Sequence, residues 1–296
     1  MQIKTIQKTI ENKMNKWLET ISDENLRKQV KVNLLVSGGS IASMLLGEDI
    51  NDYDVYLQKQ DVLASLARYY TKDITNIRVF DGLEKELLLK EVSSDKNIFG
   101  ISINNLKPTQ VKLFFNDLAG GMRINEDKKD SIEYVPLYFS PNAISLSNKI
   151  QIILRFNGDA SAIHKNFDYI HATNYFTFRD GLVTNKEALE SLITKQLKYQ
   201  GSLYPLTSIL RMKKFVKRKW NITAGEILKI MFQISELDLT NPDILEEQLI
   251  GIDVAYFAKI IAILREVKQE KIVSDYLNEI IDRVFGQADE NEWVLE

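Results

Sequence analysis

VNLLVSGGSIASMLLGEDINDYDVYL, residues 32–57, decides how this chain is read. The apolar run VNLLV predicts a strand that breaks on Gly38 and Gly39, an adjacent pair in a chain with only 13 glycines. SIASMLLG reads as a short helix, with Gly47 where a C-terminal cap belongs, and YDVYL reads as a second strand. A strand that turns through Ser37-Gly38-Gly39-Ser40 into a helix leaves backbone N–H groups unpaired at the helix N-terminus. With the helix dipole these groups form an anion site, and glycine lets a phosphate approach the backbone closely. Ser40 is expected to cap the helix and to offer its hydroxyl to a phosphate oxygen.

Asp52 and Asp54 arrive one residue apart. Side chains alternate along a strand, so both carboxylates share one face at a spacing of about 7 Å. Two like charges beside the apolar VYL call for a counter-ion. Mg²⁺ suits them, because it takes oxygen ligands and is commonly held by a few carboxylates together with substrate phosphates. The glycine turn and the carboxylates lie 12 residues apart (Ser40 to Asp52). Together they equip the segment for reaction at a nucleoside triphosphate.

Outward from this segment the chain is ordinary. Its 296 residues are 45% hydrophobic and 27% charged, which suits a soluble globular protein of two domains, or of one catalytic core with a helical appendage. It has no cysteine, so thiolate metal sites and disulfides are excluded. The N-terminal stretch is amphipathic rather than a signal peptide, and no stretch approaches the ~20 apolar residues of a membrane span. The expectation is a cytoplasmic protein without a membrane partner.

Ile3, Ile6, Ile10, Met14, Trp17 and Ile21 predict an N-terminal helical segment over 1–30. A catalytic domain over 31–183 is expected to mix strands and helices, with VPLYF, NAISLS, KIQIILRF and FDYIHATNYF as strands. From about 184 to 296 the pattern is helical throughout. The fold class is therefore α+β, with an all-helical C-terminal domain.

GGSIASMLLGEDINDYDVYL also resembles the signature of the DNA polymerase beta-type nucleotidyltransferase superfamily, in which paired glycines or Gly-Ser precede DxD by about a dozen residues. The pattern GGxxxxxLLGxxxxDxD is most similar to the head domain of poly(A) polymerases and CCA-adding enzymes, and to nucleotidyltransferase-like proteins common in phage genomes. CCA-adding relatives carry Arg-Asp where this chain has Ala42 and Ser43. The resemblance implies a mixed sheet with flanking helices and two Mg²⁺ ions, with Mn²⁺ as a substitute. It implies transfer of a nucleoside monophosphate from an NTP to an acceptor hydroxyl, with release of pyrophosphate. In a phage-encoded protein the compartment would be the host cytoplasm.

The superfamily also implies a third acid on a strand beside the pair, and two metals about 4 Å apart ask for one on chemical grounds. Asp81, Asp159, Asp168 and Asp180 are the candidates. Asp159 (NGD), Asp81 (FDG) and Asp180 (RDG) read as turn residues. Asp168 lies in NFDYIHATNYF after a strong strand and resembles the FDF-type strand of related enzymes, so Asp52, Asp54 and Asp168 are the expected catalytic and metal-binding set. His164 and His171 fit no zinc spacing and read as structural.

Net charge is −3, but residues 195–220 hold eight Lys or Arg and no acid, which leaves the rest of the chain at −11. In PLTSILRMKKFVKRKW, Ile209, Met212, Val216 and Trp220 predict a core-facing stripe, and Arg211, Lys214 and Arg218 a basic face. With Gly38, Gly39 and Ser40, these three cations are the expected nucleotide-binding residues. Eight charges exceed what one triphosphate of about four can engage, so RNA is the expected acceptor. A protein hydroxyl as acceptor and a catalytically silent binding module are the alternatives.

Overall fold

The computed structural model describes residues 2–82, 110–115, 121–128 and 133–239, with Asn241, Ile244 and Gln248 beyond them. The β-like runs expected between 83 and 109, and the helices expected over 254–267 and 274–285, lie outside the described residues, as does the helix expected over 245–251 apart from Gln248. The chain divides into two compact units, Met1–Thr194 and Lys195–Glu296.

In the first unit, helix α1 spans Ile3–Glu19, and the three-and-four spacing of its apolar residues lays Ile6, Ile10, Met14 and Trp17 into the core at 0% exposure. Asp23 caps helix α2 (Glu24–Asn33) by accepting from the Leu26 N–H at 2.9 Å. That helix runs further than the sequence suggests. Val32, expected to open a strand, is 76% exposed on α2, and strand β1 begins only at Leu34, where burial on both faces starts (Leu34–Ser37). Helix α3 (Gly39–Leu46) follows β1 and ends at Gly47, whose φ of +72° makes it the left-handed cap the sequence predicts. Strand β2 (Tyr53–Leu57) and helix α4 (Gln60–Thr71) complete this stretch.

Strands β3 (Ile77–Asp81) and β4 (Val111–Phe115) form a separate antiparallel pair. The main sheet takes in β5 (Met122–Arg123), β6 (Pro136–Phe139), β7 (Ala143–Leu146), β8 (Ile150–Asn157), β9 (Tyr175–Thr177) and β10 (Gly181–Val183). Its eight-strand order is β10-β9-β1-β2-β8-β7-β6-β5, and only β2 and β8 pair in parallel. It is a mixed sheet flanked by helices, an α+β architecture.

Register sorts the two faces of the sheet. Val36, Val55, Ile152 and Ile144 form one row across β1, β2, β8 and β7, and they belong to the main core with the buried residues of α1, α2 and α4. Each fully buried aliphatic side chain in that row contributes roughly 1.5–3 kcal/mol. The next row is Ser37, Asp54, Gln151 and Ser145, which stands on the opposite face.

The strand expected over FDYIHATNYF is not one strand. Asp159 caps a short helix α5 (Ala160–His164), accepting from the Ala162 N–H at 2.8 Å. A bend at Asp168, a 3₁₀ turn at Ile170–Ala172 and the three residues of β9 follow. Short polar side chains pull the backbone into local bonds here: the Thr173 hydroxyl donates to Ile170 O at 2.7 Å, and Asn174 Oδ1 accepts from the Asn185 N–H at 2.9 Å. Helix α6 (Lys186–Thr194) closes the unit.

In the second unit, the expected continuous helix through residue 199 is interrupted. Lys195 takes φ +50°, and Gln196–Leu197 (β11) pairs in parallel with Asn221–Ile222 (β12). Helix α7 spans Pro205–Lys217 and helix α8 Ala224–Ser235. The expected core stripe on α7 is only partly realised. Val216 is 49% exposed, the buried α7 residues are Pro205, Thr207 and Ser208, and Trp220 is buried from beyond the helix end, 5.3 Å from the Phe215 ring.

Candidate nucleotide and metal site

The first N–H groups of α3, at Gly39, Ser40 and Ile41, have no carbonyl within the helix to bond. Gly38 is the N-cap, with φ +94° and ψ −150°, a conformation open almost only to glycine. Its own N–H is taken by Ala172 O at 3.1 Å. A Cβ built on Gly38 would lie 2.7 Å from Asp54 Oδ2, so the Asp54 carboxylate sits directly over the Gly38 Cα. The glycine turn and the carboxylate are thus one site, a negative group held at the positive end of a helix.

The two glycines do different things. Gly38 is required by the backbone and by Asp54, whereas a Cβ on Gly39 would meet nothing within 4 Å among the described residues. The space over Gly39 is open, as a phosphate approaching the helix start needs. Gly39→Val therefore leaves stability within about 1 kcal/mol of wild type. The same change should weaken Mg²⁺–nucleotide binding at least tenfold, measured by calorimetry; unchanged affinity would reduce the turn to a turn.

Ser40 does not cap α3 as expected. It is the second residue of the helix, and among the described residues its buried Oγ has no hydrogen-bond partner (Ser40 is 2% exposed). Asp52 is exposed just before β2, and Asp54 is half-buried within it.

Asp168 is where the structure departs most from the expectation. It is 4% exposed, and it sits in the bend after α5 rather than on a strand of the sheet. Among the described residues no group of three His, Cys, Asp or Glu is placed to hold a metal, so Asp168 does not complete a set with Asp52 and Asp54. The other three acids are elsewhere. Asp81 accepts from Gln60 Nε2 at 2.7 Å on β3, outside the main sheet, and Asp159 is a helix cap. Asp180 accepts from Thr177 Oγ1 at 3.0 Å, and the hydrogen bond from Arg179 holds its carboxyl below the usual range.

Sequence reasoning missed the support behind the turn. Ser37 is fully buried, and its Oγ lies 2.8 Å from both Asn174 O and His164 Nε2. A hydroxyl has one proton, which goes to the carbonyl, so the imidazole donates from Nε2. Burial pushes the His164 pKa down from 6.5 to about 4, and the ring is neutral at neutral pH. The contact fixes the end of β1 and gives no serine nucleophile.

Since the unfolded chain holds this proton more tightly, stability from His164 is complete above pH 6.5. It is lost as pH falls from 6.5 through about 4. Unfolding midpoints recorded from pH 7 to pH 4 should drop, and His164→Asn should flatten that drop. Equal pH dependence in both proteins would contradict the assignment.

Arg211 and Lys214 are half-buried on α7, and Arg218 is exposed at its C-cap with the guanidinium 5.6 Å from the Phe215 ring centroid. All three belong to the second unit.

A profile of the Gabija anti-defense 2 family matches residues 8–195, about two-thirds of the chain. The chain belongs to the Gabija anti-defense 2 family. The match ends one residue past the first compact unit. A curated family member, Gabija anti-defense 2 of Bacillus phage SPbetaL7, is 19% identical over 198 residues, covering 65% of this chain and 48% of that protein. The chain thus spans about half the length of the curated relative it matches. Among solved structures it is similar to the Thermotoga maritima CCA-adding enzyme complexed with tRNA, at 13% identity and a TM-score of 0.43, over 98% of this chain and 62% of that one. It is also similar to the Bacillus stearothermophilus CCA-adding enzyme in complex with CTP, at 11% identity and a TM-score of 0.37, over 83% and 51%. No helix of the described residues is long and apolar enough to cross a membrane.

Proposed function

We propose that this Gabija anti-defense 2 family protein binds a nucleoside triphosphate with a divalent cation and transfers the nucleoside monophosphate to an acceptor hydroxyl. The observation that carries the reading is the Asp54 carboxylate held over Gly38 at the start of α3, with open space over Gly39. The α3 N–H groups and the Ser40 hydroxyl offer hydrogen bonds to phosphate oxygens. Asp52 and Asp54 are the residues that would hold Mg²⁺ or Mn²⁺, which supplies charge neutralisation at the triphosphate. In the transfer, the acceptor oxygen bonds to the α-phosphorus, the bond to the bridging oxygen breaks, and pyrophosphate leaves. The hydroxyl proton passes to a carboxylate or to solvent.

The charge distribution supports RNA as the acceptor. The eight cations of 195–220, with no acid among them, favour a polynucleotide backbone. Changing Arg211, Lys214 and Arg218 together to Gln should weaken RNA binding about equally for every sequence. It should also flatten log K against log salt by about 0.7 for each lost single-strand phosphate contact. If nucleotide affinity falls instead while RNA affinity persists, the basic face serves the triphosphate; an unchanged slope would overturn the RNA reading.

Family membership favours a second reading, in which the acceptor is a protein of a defence system. The two separate cleanly. Label from an α-labelled triphosphate that disappears with ribonuclease marks RNA, and label that disappears with protease marks protein.

A further inference from the structure

A two-cation site needs more fixed negative charge than a one-cation site, and in a sheet that charge comes from strands adjacent to the carboxylate pair. β2 has two neighbours, β1 and β8. Neither LLVS nor IQIILRFN contains an Asp or Glu. The β8 residue in register with Asp54 is Gln151, so its side chain stands beside the Asp54 carboxylate on the same face of the sheet. Gln151 is 6% exposed. Ser40 Oγ, buried and without a hydrogen-bond partner among the described residues, lies in the first turn of α3, the helix whose N-cap Gly38 lies under Asp54.

We infer that the site takes one divalent cation per bound nucleotide, with the neutral amide of Gln151 standing where a carboxylate would recruit a second. The inference rests on the nucleotide-binding reading of the same site. The two carboxylates, Asp52 and Asp54, carry two negative charges, which a single divalent ion balances. The triphosphate completes its oxygen ligands. The Gln151 NH₂ donates to a phosphate oxygen or to the incoming hydroxyl, and its carbonyl adds no charge. This differs from the two Mg²⁺ ions that the superfamily resemblance implies, and the reason is one residue on β8.

The count of bound ions tests it without reference to turnover. The full chain, saturated with α,β-methylene analogues of ATP or CTP, is titrated with Mn²⁺, and bound ion is read by electron paramagnetic resonance. The wild type should bind one Mn²⁺ per protein–nucleotide complex, Gln151→Ala one, and Gln151→Glu two. Two ions in the wild type would overturn the inference and leave the nucleotide site intact. One ion in a folded Gln151→Glu would remove Gln151 from its role. No nucleotide-dependent Mn²⁺ in the wild type would end the nucleotide-binding reading itself, a failure distinct from the other two. The wild-type count stands even if a variant does not fold.

Discussion

Changing Asp52 and Asp54 together to Asn is expected to remove nucleotidyl transfer, by a thousandfold or more, while the protein stays folded. Asn keeps the shape of each side chain and removes the charge that a divalent ion needs. Asp52 is exposed and Asp54 only half-buried, so neither change opens a cavity in the core. Circular dichroism should be unchanged, with an unfolding midpoint within a few degrees of wild type. The order of the single changes is also predictable. Asp54→Asn should cost more than Asp52→Asn, because Asp54 lies over Gly38 at the helix start. Transfer that survives the double change would remove both residues from the chemistry.

The second large effect belongs to Gly38. Gly38→Ala places a methyl group 2.7 Å from Asp54 Oδ2 and forces a residue with a Cβ into φ +94°. The backbone alone costs of order 1–3 kcal/mol, and relief of the contact requires the carboxylate to move off the helix start. Stability and Mg²⁺–nucleotide affinity should fall together in Gly38→Ala. In Gly39→Val affinity alone should fall. Denaturant unfolding and calorimetry on the two variants would show this split, and identical behaviour would mean the glycines are not doing separate work.

Much of the local structure around this candidate site was legible in the sequence because its parts are close along the chain. The glycine pair, the short helix closed by Gly47 and the alternation of Asp52 and Asp54 lie within one 26-residue segment, where period and spacing speak directly. The core face of α1 was legible for the same reason: its apolar spacing is strict, and only Ile3 stays at the surface. What failed was non-local. Gln151 meets Asp54 through the parallel pairing of β2 and β8, separated by nearly a hundred residues, and no pattern inside IQIILRF announces that register. Asp168 was misread because its aromatic neighbours mimic a strand. Thr173 instead holds the segment in a local turn and Asn174 ties it to Asn185, and a run of Thr-Asn after His was the signal available. On α7 the helical period was right but its use was not. Small residues near its start, Thr207 and Ser208, are buried, while Val216 faces out. Ser37 and His164 were invisible for a simpler reason. A serine ending an apolar strand carries no mark of the histidine 127 residues away that bonds it.

The central claim is that the turn at Gly38–Ser40 and the carboxylates at Asp52 and Asp54 form a nucleotidyl-transfer site. The most direct measurement incubates the full chain with each of the four α-labelled ribonucleoside triphosphates, Mg²⁺, and either total RNA or a lysate containing defence-system proteins. Label joined to a macromolecule and released pyrophosphate are followed together. The account predicts equimolar label and pyrophosphate with at least one triphosphate, both dependent on Mg²⁺ and both absent from the Asp52→Asn, Asp54→Asn protein. Label and pyrophosphate that are absent from the wild type with every triphosphate and both acceptors, or present undiminished in the double variant, would contradict it.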